Sequence, residues 1–233
     1  MDLKGTQVTW LGHGTFKFKT TEGKVLIVDP WVMNNPACPD GEKSPDQLDL
    51  VLITHAHFDH IGDAVELGKK HSPETWAIFE TAMWLGSKEV PNVTGMNKGG
   101  TAQAQGVKFT MVHAVHSCGI SDGDQILYGG EAAGYVIEFP GGLKIYYAGD
   151  TTVFSDMQII GELYQPDVSF LPVGDFYTMG PREAAHSAKL LGAKTVVPMH
   201  FGTFPVLTGT PDQLKSLASG VEVVAFTPGE TKS

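Results

Sequence analysis

The chain is short of cysteine, of positive charge and of long apolar runs, and each shortage closes off a class of protein. Cys38 and Cys118 are the only cysteines among 233 residues. Two thiols make no disulfide framework, so a reducing compartment is the default. Lysine and arginine number 16 against 26 aspartates and glutamates, a formal net charge of −10. A nucleic-acid or anionic-membrane partner calls for a basic face, and this balance argues against one. A small anionic substrate stays admissible, because bound divalent metals invert the local potential. No apolar run reaches the length that spans a bilayer. The opening Met1-Asp2-Leu3-Lys4-Gly5 lacks the apolar core of a signal peptide. The expectation is a cytoplasmic protein without membrane or nucleic-acid partners. No linker, charge run or low-complexity stretch divides it, and no short-period repeat stands out. With 42% hydrophobic and 18% charged residues, residues 1–233 read as a single mixed α/β domain.

What the chain does have is histidine in one place. Thr54-His55-Ala56-His57-Phe58-Asp59-His60 follows the apolar run Val51-Leu52-Ile53. The run reads as a buried strand, and Asp63 is placed to cap a helix through Leu67. The cluster therefore sits in a loop at a strand end, where functional side chains are carried on a rigid scaffold. Imidazole and carboxylate are the ligands of zinc and its first-row neighbours. His55 and His57 share parity in an extended loop and can chelate one ion. One ion rarely closes its shell around four ligands of so short a loop. Two ions side by side fit better, one on His55 and His57, the other on Asp59 and His60. Turns favour Gly, Asn, Asp and Pro, which argues against a merely solvated turn.

Three more candidates stand at predicted strand ends. The strand predicted over 107–115 leads to His116, with His113 as a competitor on the same strand. The strand over 143–148 delivers Asp150, and that over 195–199 ends at His200. Elsewhere, alternation predicts a hairpin over 6–10 and 15–20, a buried strand over 25–28, and strands over 75–79, 134–139 and 167–173. Helices are predicted over 81–88, 155–164 and 180–191. Thr210-Pro211-Asp212-Gln213 has the form of a capping box for a helix to Leu217, before a last strand over 221–226. Ser44-Pro45-Asp46-Gln47 has the same form within a long surface loop over 31–46, so a short helix is expected there too.

His-x-His-x-Asp-His after an apolar strand resembles the signature of the metallo-β-lactamase superfamily. The resemblance implies an αββα four-layer sandwich with a metal site at one edge of two sheets. It assigns His55, His57 and His116 to one ion, and Asp59, His60 and His200 to the other, with Asp150 bridging both. Zinc is the metal it suggests first, with manganese, iron or nickel as alternatives. A narrower likeness lies in Leu11-Gly12-His13, Asp29-Pro30-Trp31, Tyr147-Ala148-Gly149-Asp150-Thr151, Met179-Gly180-Pro181 and Pro198-Met199-His200-Phe201-Gly202-Thr203. These resemble the UPF0173 metal-dependent hydrolases, relatives of ascorbate-6-phosphate lactonases and N-acylphosphatidylethanolamine phospholipase D. Glu131 stands where that group would carry Asn.

The chemistry so implied is hydrolysis of a small ester, lactone, amide or phosphodiester. A water shared by two ions roughly 3.5–4 Å apart ionises near neutral pH and needs no protein base. Asp59 and Asp150 would be the catalytic carboxylates. His13 could donate a proton to the leaving group, and an exposed loop histidine is the competing expectation. Asp29 suits an acceptor that holds a ligand histidine in its tautomer; a turn-forming Asp before Pro is the alternative. Tyr177 and Thr203 are candidate substrate contacts. Cys118 reads as a small buried thiol, and His71 and His186 as surface residues. Two other readings stay open: a non-catalytic metal-bound sensor module, and a diiron oxidoreductase of the same fold. The diiron enzymes carry a carboxylate where His57 stands. Homo-oligomerisation stays open as well.

Overall fold

Apolar residues decide which runs become strands, and their spacing decides which faces are covered. In a computed structural model, which describes residues Met1–Ser233, the chain opens with β1 (Gln7–Trp10), β2 (Phe16–Lys19), β3 (Val25–Val28) and β4 (Leu50–Leu52). A single helical turn α1 (Phe58–Ile61) and α2 (Ala64–His71) precede β5 (Glu74–Ile78), α3 (Phe79–Ser87) and β6 (Val93–Met96). Then come β7 (Thr101–Ala104), β8 (Val107–His113), β9 (Gly119–Asp122), β10 (Gln125–Tyr128), β11 (Ala133–Glu138) and β12 (Lys144–Tyr147). The last part holds α4 (Met157–Tyr164), β13 (Val168–Pro172), α5 (Pro181–Leu191), β14 (Thr195–Met199), α6 (Pro211–Leu217), β15 (Glu222–Val223) and β16 (Thr231–Lys232).

Two seven-stranded sheets result, ordered β16-β1-β2-β3-β4-β5-β6 and β15-β14-β13-β12-β11-β8-β7. Each is antiparallel at one side and parallel at the other. The parallel strands β3, β4, β13 and β14 are buried along their whole length, as strands covered on both faces must be. In β2, Phe16 and Phe18 are buried, while Lys17 is half-buried and Lys19 exposed on the opposite side. Phe16 meets Phe170 of the second sheet at 4.9 Å between ring centroids, and Phe18 meets Phe139 at 5.3 Å. These contacts seat one sheet on the other in the αββα sandwich, around one buried cluster of 59 residues running from Leu3 to Phe226. The helices connect the parallel strands and lie outside, which brings the C-terminal ends of β4, β12 and β14 to one edge.

The structure differs from the sequence expectations at several elements. No helix forms after Ser44: Gln47 donates to Gly23 O and to Asp49 Oδ2 instead of turning back to Ser44. The Asp49 carboxylate in turn receives the Val25 N–H, drawing the chain straight into β4. Asp63 does precede α2, but its carboxylate is spent on the Val32 and Met33 N–H groups and not on its own helix. Asp59 and His60 lie on the helical turn α1, so alternation in an extended loop applies only as far as His57. The strand to His116 stops at His113, and the last predicted strand shrinks to Glu222–Val223. Strands β6, β7, β9, β10 and β16 were not anticipated. At Thr210 the predicted capping box is complete in both directions.

Candidate metal centre

The seven candidate ligands converge at the sheet edge, though they span His55 to His200. Two lie in the extended segment after β4, two on α1, and one each beyond β8, β12 and β14. His55 Nε2 stands 3.1 Å from His57 Nδ1, which stands 3.2 Å from His116 Nε2. On the other side, His60 Nε2 is 3.3 Å from Asp150 Oδ1, and His200 Nε2 is 3.1 Å from Asp150 Oδ2 and 3.8 Å from Asp59 Oδ2. Asp150 Oδ2 also lies 3.7 Å from His55 Nε2 and 3.6 Å from His116 Nε2. Asp150 thus stands between a three-histidine group and an Asp59–His60–His200 group. His113, the competitor, is exposed on β8, with Nδ1 3.1 Å from Lys98 Nζ.

These groups fit a divalent metal. Bonds of about 2.0–2.1 Å to a tetrahedral ion set neighbouring ligand atoms about 3.3–3.4 Å apart, close to the separations above. Buried polar atoms are normally hydrogen-bonded. Here His60 Nε2, Asp150 Oδ1 and both ring nitrogens of His200 are buried without a hydrogen-bond partner. His60 Nε2, Asp150 Oδ1 and His200 Nε2, one orphaned atom on each of three neighbouring residues, mark a place where a cation would complete the donor set.

Around the candidate ligands is a buried network that sets the tautomers of His55 and His60. Asp29 is in the left-handed region, φ 55°, at the end of β3. Its Oδ1 accepts from Thr54 N at 2.7 Å, and its Oδ2 from Thr54 Oγ1 at 2.7 Å and His60 Nδ1 at 2.8 Å. With the Thr54 hydroxyl hydrogen given to Asp29, His55 Nδ1 donates to Thr54 Oγ1 across 3.0 Å. One carboxylate therefore turns Nε2 of both His55 and His60 inward, as metal-ligating histidines require. Thr54 was not anticipated; its position directly before the first histidine was the available signal.

The electrostatics follow from burial. Burial, helped by the neighbouring His60, holds His55 well below the ordinary histidine range. Burial also lowers His57 and His116, against the pull of Asp150. For His60 burial opposes charge, yet Asp150 and Asp29 hold it well above its ordinary value. Burial likewise works to raise Asp150, but His200 and His60 hold it well below the carboxylate range.

His13 is buried, in the left-handed region at φ 56°, and is not the exposed loop residue that its glycine neighbours suggest. Its Nε2 lies 2.9 Å from Asp59 Oδ2 and its Nδ1 3.0 Å from Thr203 Oγ1. Burial and His200 lower its pKa to about 4. Thr203, expected as a substrate contact, is thus engaged with His13. Tyr177 is 55% exposed between β13 and α5, its ring 4.8 Å from Phe176. Trp31 packs edge-on to Phe58 at 5.9 Å and is stacked with Phe204 at 6.1 Å, and it meets His13 at 5.3 Å. Phe58, set between His57 and Asp59, is 56% exposed. Cys118 is buried and donates to Gly129 O, apart from the metal groups. A cavity of about 860 Å³ lined by residues such as Lys4, Gln158 and Lys194 contains none of the seven candidate ligands.

Comparison with known proteins agrees with this geometry. The family model for the beta-lactamase superfamily domain matches residues 7–200. A UPF0173 metal-dependent hydrolase of Koribacter versatilis is 57% identical over 233 residues, covering 100% of both chains. Another, from Solibacter usitatus, is 56% identical over 226 residues, covering 96% of this chain and 98% of its own. Among solved structures, a metallo hydrolase of the hyperthermophilic archaeon Ignicoccus hospitalis superposes with a TM-score of 0.85 at 35% identity, covering 97% of each chain. With the sheet order and the clustered histidines already described, these matches establish that the chain belongs to the UPF0173 metal-dependent hydrolases of the metallo-β-lactamase superfamily.

Proposed function

We propose that this protein hydrolyses a small ester, lactone or phosphodiester at a site holding two divalent ions, zinc first among the candidates. The observation that carries the reading is the set of orphaned buried atoms on His60, Asp150 and His200, with candidate ligands on either side of Asp150. His55, His57 and His116 would hold one ion, Asp59, His60 and His200 the other, and Asp150 both. Bound there, the ions would supply an ionised water at neutral pH and a Lewis acid for the developing oxyanion. The chain's own part is orientation. Asp29 and Thr54 keep two imidazoles turned inward, and Asp150 keeps its charge beside four histidines. Phe58 presents an exposed aromatic face next to the ligands, suited to an apolar part of the substrate. Ser117 Oγ, exposed and 3.2 Å from His57 Nε2, places a hydroxyl beside the candidate ligands. No helix is long and apolar enough to cross a membrane. The free thiols of Cys38 and Cys118 and the net charge of −10 support a cytoplasmic protein acting on small molecules and not on nucleic acid.

The test is metal content by plasma mass spectrometry on untagged protein, paired with hydrolysis of bis-p-nitrophenyl phosphate and a panel of lactones. Near two equivalents of first-row metal are expected, with activity lost to chelator and restored by metal. His57→Ala should abolish turnover while circular dichroism is unchanged. A protein that takes up no metal would overturn the reading; one that binds metal but turns over nothing would leave the sensor module in its place.

A further inference from the structure

Both ring nitrogens of His13 are spoken for by protein. Nε2 meets Asp59 Oδ2 at 2.9 Å, and Nδ1 meets Thr203 Oγ1 at 3.0 Å. The ring is fully buried, its centroid 3.8 Å from that of His200 and its edges against Trp31 and Phe204. The backbone is equally committed: His13 O accepts from His200 N at 3.0 Å and from Trp10 Nε1 at 3.0 Å. A proton donor to a leaving group needs access to substrate and a nitrogen free to face it. His13 has neither. Its neutral ring can carry only one hydrogen, and a carboxylate can only accept, so that hydrogen sits on Nε2. Nδ1 must then accept, and the Thr203 hydroxyl, 3.0 Å away against 3.5 Å to its other acceptor Phe201 O, is its donor.

We propose that His13, held in this tautomer by Thr203, is a positioning residue that fixes the rotation of the Asp59 carboxylate and thereby sets the affinity of the Asp59–His60–His200 group for its ion. The inference rests on the dinuclear reading above. It makes Thr203, which follows the last ligand by three residues, part of the metal site and not of the substrate rim. The His55–His57–His116 group has no such support from His13, so the effect is confined to one of the two ions.

The experiment is calorimetric titration of chelator-stripped protein with zinc, on wild type and on His13→Ala, His13→Gln, Thr203→Val and Thr203→Ser. Loss of an outer hydrogen-bond partner lowers metal affinity about 10–100-fold. Wild type should bind two equivalents. His13→Ala and Thr203→Val should weaken the second by a factor in that range and leave the first in place. His13→Gln, which keeps an N–H in reach of Asp59, and Thr203→Ser, which keeps the hydroxyl, should recover part of the loss. Thr203→Val covers the case in which His13→Ala fails to fold. Two unchanged equivalents in both His13→Ala and Thr203→Val would overturn the proposal. So would a loss in His13→Gln as large as in His13→Ala with Thr203→Val unaffected, since that pattern belongs to a direct ligand. Absence of a second equivalent in wild type would instead overturn the dinuclear reading beneath it.

Discussion

At the scale of single residues, Asp29 carries more than any ligand. Three donors converge on its carboxylate, from Thr54 N, Thr54 Oγ1 and His60 Nδ1. Asn has one accepting oxygen and would turn an amide N–H toward donors, leaving buried groups unpaired. Asp29→Asn is therefore expected to lower metal affinity about 10–100-fold in competition with a chromogenic chelator. The metal-free protein should also lose about 1–3 kcal/mol in denaturant unfolding, the usual cost of orphaned buried donors. Unchanged affinity would show that the tautomers of His55 and His60 are fixed without it. The sequence offers Asp29 either as an acceptor for a ligand histidine or as a turn-forming Asp before Pro. It could not show that the left-handed backbone after β3 aims the side chain inward.

At the scale of elements, the β1–β2 turn is a wall of the site. A Cβ on Gly14 would stand 2.6 Å from His60 Cε1, and His60 is held from another direction by Asp29. Gly14→Ala should push the ring aside and weaken metal binding, with far-ultraviolet circular dichroism unchanged; unchanged affinity would mean that the turn yields. The element scale also shows what could be read in advance. The strong alternations and the seven ligand candidates were legible, because period and residue type are local. Two capping boxes looked alike, at Ser44 and at Thr210, and only the second caps a helix. Residues after Ser44 are drawn to the sheet by Asp49, a long-range bond that no local pattern carries. The β9–β10 hairpin was signalled by its two-residue Gly123-Asp124 turn, with Gly123 at φ 61°. It was missed because its flanking runs are short and only Ile120 among them is buried. The β16 strand pairs with β1 from more than 200 residues away, and its partner could not be inferred from two residues.

At the scale of the molecule, metal and fold should be linked. A ligand that binds only the folded state adds about 2.7 kcal/mol at a hundredfold excess over its dissociation constant. For a chain of this size that is a rise in Tm of roughly 5–10 °C. Differential scanning fluorimetry with and without zinc checks it, and identical melting curves would deny that the site is assembled by folding. The sheets meet at the site through more than the ligands. Tyr135 on β11 donates to Ile53 O at 3.0 Å, and Tyr147, opposite it on β12, donates to Gly14 O. Two hydroxyls of the second sheet thus brace two site loops of the first. The candidate donor set is divided in the same way, with four candidate ligands by His60 and three from His116 onward. A chain leaving the ribosome presents its N-terminus first. It shows His55, His57, Asp59 and His60 early, but neither the tyrosine braces nor Asp150 and His200. Only after His200 has cleared the exit tunnel can the two sheets close on an ion, so loading waits for the last of the candidate ligands to be made.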